Sequence, residues 1–171
     1  MTNTPNNIDT HVVGIALGSN IGDRLKSLQA AIAALAPYVF ITAKSQVYET
    51  AAAYVTDQPA FLNAAVLGET KLEPLALLLT LKHIEVALGR TPTFRYGPRV
   101  IDLDILFYGE KIISTPELVI PHSQMAERAF VLRPLSDIKP SWKHPKTGLT
   151  VVAMLGKLSD ADSITQHNVV L

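Results

Sequence analysis

Two aspartates set inside an apolar run constrain the fold of this chain more than any other feature. The stretch is Arg95-Tyr96-Gly97-Pro98-Arg99-Val100-Ile101-Asp102-Leu103-Asp104-Ile105-Leu106-Phe107-Tyr108. Read as a strand from about Val100, it alternates its side chains between two faces, so Asp102 and Asp104 share one face and Ile101, Leu103 and Ile105 the other. Such a strand buries its isoleucine face in a core and turns its carboxylates to a cleft or to solvent. The two Cα atoms fall roughly 6.5–7 Å apart, within reach of one divalent cation held jointly or of two ions bridged by substrate oxygens. A solvated edge strand is the other way to accommodate the pair. Aspartate is disfavoured in strands, however, and like charges at i and i+2 repel unless a cation lies between them.

Gly97-Pro98 makes a turn that delivers Arg99 to the mouth of the same strand, with Arg95 and Arg90 shortly before it. Residues 90–99 carry three arginines and no acid. The whole chain has fifteen basic and fifteen acidic residues, so this is a local anion site without a global field for nucleic acid or an anionic membrane. Arginine beside a carboxylate metal site is the combination phosphate chemistry uses, because the planar guanidinium matches phosphate oxygens while magnesium neutralises the remaining charge. There is no cysteine, which excludes disulfides and thiolate metal sites. No apolar run approaches the ~20 residues of a membrane span, and the first ten residues lack the layout of a signal peptide, so a cytoplasmic location is expected.

In chain order, residues 1–10 form an expected disordered lead ahead of one domain over 11–171, whose 48% hydrophobic content supplies a sizeable core. Val12 to Leu17 is nearly continuous apolar sequence, as in a central strand covered on both faces. Gly18-Ser19-Asn20-Ile21-Gly22-Asp23 reads as a turn with a helix cap, followed by Leu25, Leu28, Ile32 and Leu35 at helical spacing. It lacks the Lys-Ser/Thr ending of a phosphate loop. Ile41 to Thr50 and Phe61 to Glu69 read as strands, and the connection between them, with Thr56-Asp57-Gln58, is long enough to be functional. Pro74 opens a second helix, in which Leu75, Leu78, Leu79, the Lys82 stem and Val86 form the expected buried stripe. With the aspartate strand the order is β-α-β-β-α-β, the ferredoxin-like α+β arrangement of a mainly antiparallel sheet flanked by helices. Short apolar segments follow at Lys111–Ile113 and Leu118–Ile120, then a helix from Ser123 and another over about Thr150–Lys157. Trp142 to Gly148 reads as a loop with His144 on the surface.

Gly97-Pro98-Arg99-Val100-Ile101-Asp102-Leu103-Asp104-Ile105-Leu106 resembles the signature of the 6-hydroxymethyl-7,8-dihydropterin pyrophosphokinases of folate biosynthesis. Gly18-Ser19-Asn20, Asp57-Gln58-Pro59, Phe61-Leu62-Asn63-Ala64-Ala65-Val66, and Pro121-His122 with Met125, Arg128 and Phe130 are similar to that family in the same order. The resemblance implies a ferredoxin-like enzyme that transfers pyrophosphate from ATP to a pterin hydroxymethyl group, working as a monomer on these two small molecules. It implies two Mg2+ ions on Asp102 and Asp104, with Arg90 and Arg99 in the catalytic group. Lys82, Glu85, Arg95, Arg99, His122 and Arg128 are implied around ATP, and Thr50, Phe61, Asn63, Tyr96 and Phe130 around the pterin.

Alternatives stay open for single residues. Arg99 could form a structural ion pair with Asp102 or Asp104, His122 could be satisfied by backbone, and Phe61 and Phe130 could be core residues. Asn63 is more telling, because an amide inside an apolar run is costly to bury without a partner. For the whole chain, a palm-type two-metal nucleotidyltransferase or cyclase, or a non-catalytic ligand-binding module of the same fold, would also use this topology. The chain departs from the family pattern at Pro92, where an arginine is common, at Tyr96, where a tryptophan is common, and at Glu117, where some members have an arginine. The loss of charge leaves Arg90, Arg95 and Arg99 to grip the nucleotide, with Lys82 or Lys111 as substitutes.

Overall fold

Apolar residues at period two and period 3.6 sort this chain into a sheet with a helical layer on each face, seen in a computed structural model that describes residues 9–53 and 57–171. The elements are β1 (His11–Ser19), α1 (Arg24–Leu35), β2 (Phe40–Lys44), β3 (Val47–Thr50), β4 (Phe61–Thr70), α2 (Pro74–Ala87), β5 (Asp102–Tyr108), β6 (Ile113–Ser114), β7 (Val119–Ile120), α3 (Ala129–Ile138), α4 (Val151–Leu155) and β8 (Thr165–His167). The strand order is β5-β1-β4-β3-β8 with β2 also on β4, and every pairing is antiparallel. This is the ferredoxin-like α+β core, extended by β8. The lead expected over 1–10 lies, through residue 8, outside the described residues, and so does Thr56.

Val13, Ile15 and Leu17 of β1, with Leu103 and Ile105 of β5, pack under α1 and α2. The opposite face of the sheet is covered by α3 and α4, through Leu106, Phe107, Met125, Leu132, Leu135 and Met154. Asp102 and Asp104 lie on that second face. A register shift between Gly14 and Ile15 leaves Leu106 unpaired, so Leu106 and Phe107 both turn to the second core and Tyr108 returns to the first. Phe107 lies over Gly14, where a Cβ would collide with its ring, and stacks on Trp142 at 4.5 Å between centroids.

Several expectations are corrected. Gly18 and Ser19 belong to β1 and not to the turn after it. The strand expected over 41–50 is broken at Ser45-Gln46, because the Ser45 hydroxyl takes the Ala65 N–H (2.8 Å) that a strand carbonyl would have taken. The aspartate strand begins at Asp102 and not at Val100. A helix from Ser123 is replaced by one 3-10 turn at Met125–Glu127, since Arg128 is extended and α3 starts after it. The buried stripe of α2 is Leu77, Leu81, Ile84 and Glu85, while Leu79 and Val86 are 62% and 67% exposed and Leu75 is exposed as well. His144 is buried: its N–H donates to Leu149 O (2.9 Å), its Nδ1 accepts from Lys146 N (3.2 Å), and its ring meets the Trp142 ring edge-on. The strand β8 was not anticipated.

Candidate active site

Register across the sheet assembles the site. Asp102 pairs with Gly18 of β1, Gly18 with Asn63 of β4, and Asn63 with Tyr48 of β3. Directly opposed residues in antiparallel strands share a face, so a carboxylate, a bare glycine and an amide stand in one row. Gly18 keeps this floor open: a Cβ there would come within 3.3 Å of Asn63 Oδ1 and 3.7 Å of the Phe61 ring. A cavity of about 340 Å³ opens over the row.

One end of the cavity suits a flat heterocycle. Asn63 is buried, and its Nδ2 donates to Thr50 Oγ1 (2.8 Å). Phe61 and Phe130 flank it from β4 and from the first turn of α3, with Tyr96 across the opening. Tyr96 sits in the left-handed region (φ 62°), a conformation that non-glycine residues rarely adopt.

The other end is charged. Arg90 Nη1 donates to Asp102 Oδ1 (2.6 Å) and to Glu85 Oε2 (2.5 Å), and Arg99 Nη1 donates to Asp102 Oδ2 (2.7 Å). The structural ion pair held open for Arg99 is therefore present. Lys82 Nζ donates to Glu85 Oε1 (2.8 Å) and lies 3.9 Å from Asp104 Oδ1. Burial opposes ionisation of Asp102, but Arg99, Arg90 and Lys82 outweigh it and hold its carboxyl below the usual range. Burial keeps His122 below the usual histidine value despite the nearby Asp104 carboxylate. Its Nδ1 accepts from Gln124 N (3.2 Å) and its own N–H donates to Leu106 O (2.9 Å). Arg128 donates to Gln124 and lies over the Phe130 ring.

A smaller cavity of about 190 Å³ adjoins the first at Asp104, His122 and Ser123, with Leu78, Ile105, Leu118 and Val119 as apolar wall and Glu117 at its rim. Among the described residues, no group of three or more His, Cys, Asp or Glu side chains forms a ready-made metal cage. Any cation on the aspartate pair needs ligand oxygens from elsewhere.

Of the residues singled out by sequence, Thr50, Phe61, Asn63, Lys82, Arg90, Tyr96, Arg99, Asp102, Asp104, His122, Arg128 and Phe130 all line the main cavity. Two do not. Glu85, 2% exposed, lies behind the wall, where its Oε1 accepts the Leu103 N–H (2.6 Å) and its carboxylate holds Lys82 and Arg90. Arg95 is exposed and turned onto the Tyr96 ring. Lys111 lies over Tyr108 and near Glu73, away from both cavities. Sequence reasoning missed the part played by Asn20 and Gln58. Asn20 Oδ1 accepts the Arg99 N–H (2.7 Å) while its Nδ2 donates to Gln58 Oε1 (3.0 Å) and Pro59 O (3.1 Å). Gln58 in turn donates to Tyr96 O (2.9 Å), so one buried amide ties three loops. Both lie in short motifs that resemble the family, but a polar side chain in a turn or loop does not by itself name its partners.

Residues 14–140 match the family described as 7,8-dihydro-6-hydroxymethylpterin-pyrophosphokinase (HPPK). The chain is 47% identical over 130 residues to the 2-amino-4-hydroxy-6-hydroxymethyldihydropteridine pyrophosphokinase of Bacillus subtilis (strain 168), covering 75% of this chain and 78% of that one. It is 54% identical over 129 residues to the mitochondrial folate synthesis bifunctional protein of Arabidopsis thaliana, covering 75% of this chain and 23% of the relative. It is 45% identical over 158 residues to the folic acid synthesis protein fol1 of Pneumocystis carinii, covering 92% and 21%. The chain thus spans only about a fifth to a quarter of the length of these plant and fungal relatives. A crystal structure of Plasmodium falciparum HPPK-DHPS superposes with a TM-score of 0.76 at 18% identity, over 90% of this chain and 46% of that one, and shares the fold.

Proposed function

The chain belongs to the 7,8-dihydro-6-hydroxymethylpterin-pyrophosphokinase family, and from that premise we propose that it transfers pyrophosphate from ATP to 6-hydroxymethyl-7,8-dihydropterin. The hydroxymethyl oxygen attacks the β-phosphorus, the bond from that phosphorus to the α,β-bridging oxygen breaks, and AMP leaves; the hydroxyl proton passes to solvent. The observation that carries the reading is the single cavity running from Asn63 across Gly18 to Asp102. A heterocycle read by Asn63 and sandwiched by Phe61 and Phe130, with Thr50 and Tyr96 beside it, lies next to the charge cluster that a triphosphate needs. The family match over residues 14–140 favours this reading over a nucleotidyltransferase or a plain binding module.

Lys82, Arg90, Arg99 and Arg128 face the phosphates as cations, and His122, kept neutral by burial, can hydrogen-bond to them without adding charge. Glu85 acts on ATP through Arg90 and Lys82, and Arg95 contributes from the rim of its loop. The smaller cavity, with its apolar wall next to Asp104 and His122, takes the adenine. Magnesium fits the donor set, because Asp102 and Asp104 present hard oxygens on one face and leave the remaining positions to phosphate. Two ions held there supply positive charge where the transferring oxygens develop negative charge. On this reading residues 11–171 work as one domain, a cytoplasmic monomer with no nucleic acid or membrane partner.

Incubation with ATP, Mg2+ and the hydroxymethylpterin, followed by nucleotide chromatography, tests the proposal. AMP and a pterin diphosphate should appear in equal amounts. ADP in place of AMP would overturn it.

A further inference from the structure

We infer that Arg90 and Arg99 form an interlock on Asp102: in the ligand-free protein they occupy the carboxylate a divalent cation needs, and the triphosphate must draw them off before the cation binds tightly. The inference rests on the magnesium reading above and adds to it an order of assembly.

Both oxygens of Asp102 are taken, Oδ1 by Arg90 (2.6 Å) and Oδ2 by Arg99 (2.7 Å). Charge-assisted bonds of this length are among the stronger polar contacts in a protein, and the Asp102 side chain is only 20% exposed, so water screens them weakly. A cation approaching Asp102 meets two guanidinium groups on the same oxygens. Asp104 differs: its side chain is 37% exposed and its cationic neighbour, Lys82, stands off at 3.9 Å while bonding to Glu85. One half of the pair is open and the other is closed.

Both arginines have somewhere to go. Arg90 has a second anchor on Glu85 (2.5 Å), so it can leave Asp102 without losing every partner. The Nε of Arg99 is buried without an acceptor, a donor that gains one when the side chain moves onto a phosphate oxygen. Phosphate oxygens in the cavity would replace the Asp102 carboxylate for both side chains and release it. By linkage, whatever factor the nucleotide adds to cation affinity, the cation adds to nucleotide affinity.

The test uses Mn2+ alone, titrated into nucleotide-free protein with the free ion followed by electron paramagnetic resonance. Wild type should bind weakly. Arg99→Gln and Arg90→Gln, each shown to melt cooperatively, should bind Mn2+ about tenfold tighter or more, since one closed oxygen is opened. Arg133→Gln removes the same charge at an exposed side chain over the Tyr48 ring that lines neither cavity, and should stay within about twofold of wild type. Adding Asp102→Asn to Arg99→Gln should return the affinity to the wild-type level. Equal tightening in Arg133→Gln, or no tightening in either Asp102-contacting variant, overturns the interlock. AMP formation by the same wild-type preparation reports on the pyrophosphokinase reading separately, so the two can fail independently.

Discussion

Asn63 is the side chain whose position is hardest to explain without a ligand. It sits buried on β4, spends one amide proton on Thr50, and keeps its carbonyl over Gly18 at the cavity floor. Asn63→Leu should weaken pterin binding by roughly 1–3 kcal/mol and leave nucleotide binding nearly unchanged. Calorimetry that finds equal losses for both ligands would point to a packing defect instead. Asp104→Ala should lower turnover by several orders of magnitude with the fold intact; retention of more than about a tenth of wild-type turnover would show that the carboxylate is not needed in the transition state. These residues were legible because both break a local rule: an amide in an apolar run, and two aspartates in a strand. Glu85 and Asn20 break no such rule. One is an ordinary helix residue and the other an ordinary turn residue until β5 and Gln58-Pro59 fold against them.

At the scale of elements, two glycines of β1 separate folding from binding. Gly14 lies beneath Phe107 at the bulge, so Gly14→Ala forces the ring out of its stack on Trp142 and should cost about 1–3 kcal/mol in denaturant unfolding. Gly18 faces the cavity, where a methyl meets only the ends of Asn63 and Phe61. Gly18→Ala should therefore leave the melting temperature within a few degrees and weaken pterin binding. The reverse pattern would mean that the floor has been misidentified. In the 90–98 loop, Pro92 is exposed, and Pro92→Arg should tighten ATP binding by an amount that shrinks as salt rises. Unchanged affinity at low salt would show that this loop does not close over the phosphates. Element type was largely readable from period and caps, but several boundaries and the buried face of α2 were not. Leucines at 75, 77, 78, 79 and 81 surround the helix, so periodicity offers two faces. Glu85, fastened to Leu103 N–H and Arg90, decides between them.

For the molecule as a whole, two histidines, His144 buried and His122 half-buried, contribute to the loss of stability in mild acid. Burial holds both His122 and His144 below the ordinary value of 6.5, aided at His144 by Lys146. A depressed folded-state pKa means that the unfolded chain takes up protons first. Their stability contribution is thus fully present above about pH 6.5 and is lost as pH falls through the lower folded values. Thermal melts should show a drop on acidification below that point, and His144→Asn, which keeps an acceptor for the Lys146 N–H but cannot titrate there, should flatten part of the slope. An unchanged slope would assign the acid loss elsewhere. No helix among the described residues is long and apolar enough to cross a membrane.

The sequence by itself determined the β-α-β-β-α-β order of the core, the two-faced character of β5, the arginine-rich approach to it and the family, because periods of two and 3.6 and short motifs are properties of neighbouring residues. Only the tertiary structure decided which face of α2 is buried, that Leu106 and Phe107 turn to one side, that His144 is buried with its ring against Trp142, and that Arg90 and Arg99 close on Asp102. Each of these depends on a partner distant in the chain or on a register slip, and a local pattern carries no information about which distant segment arrives, or in what register.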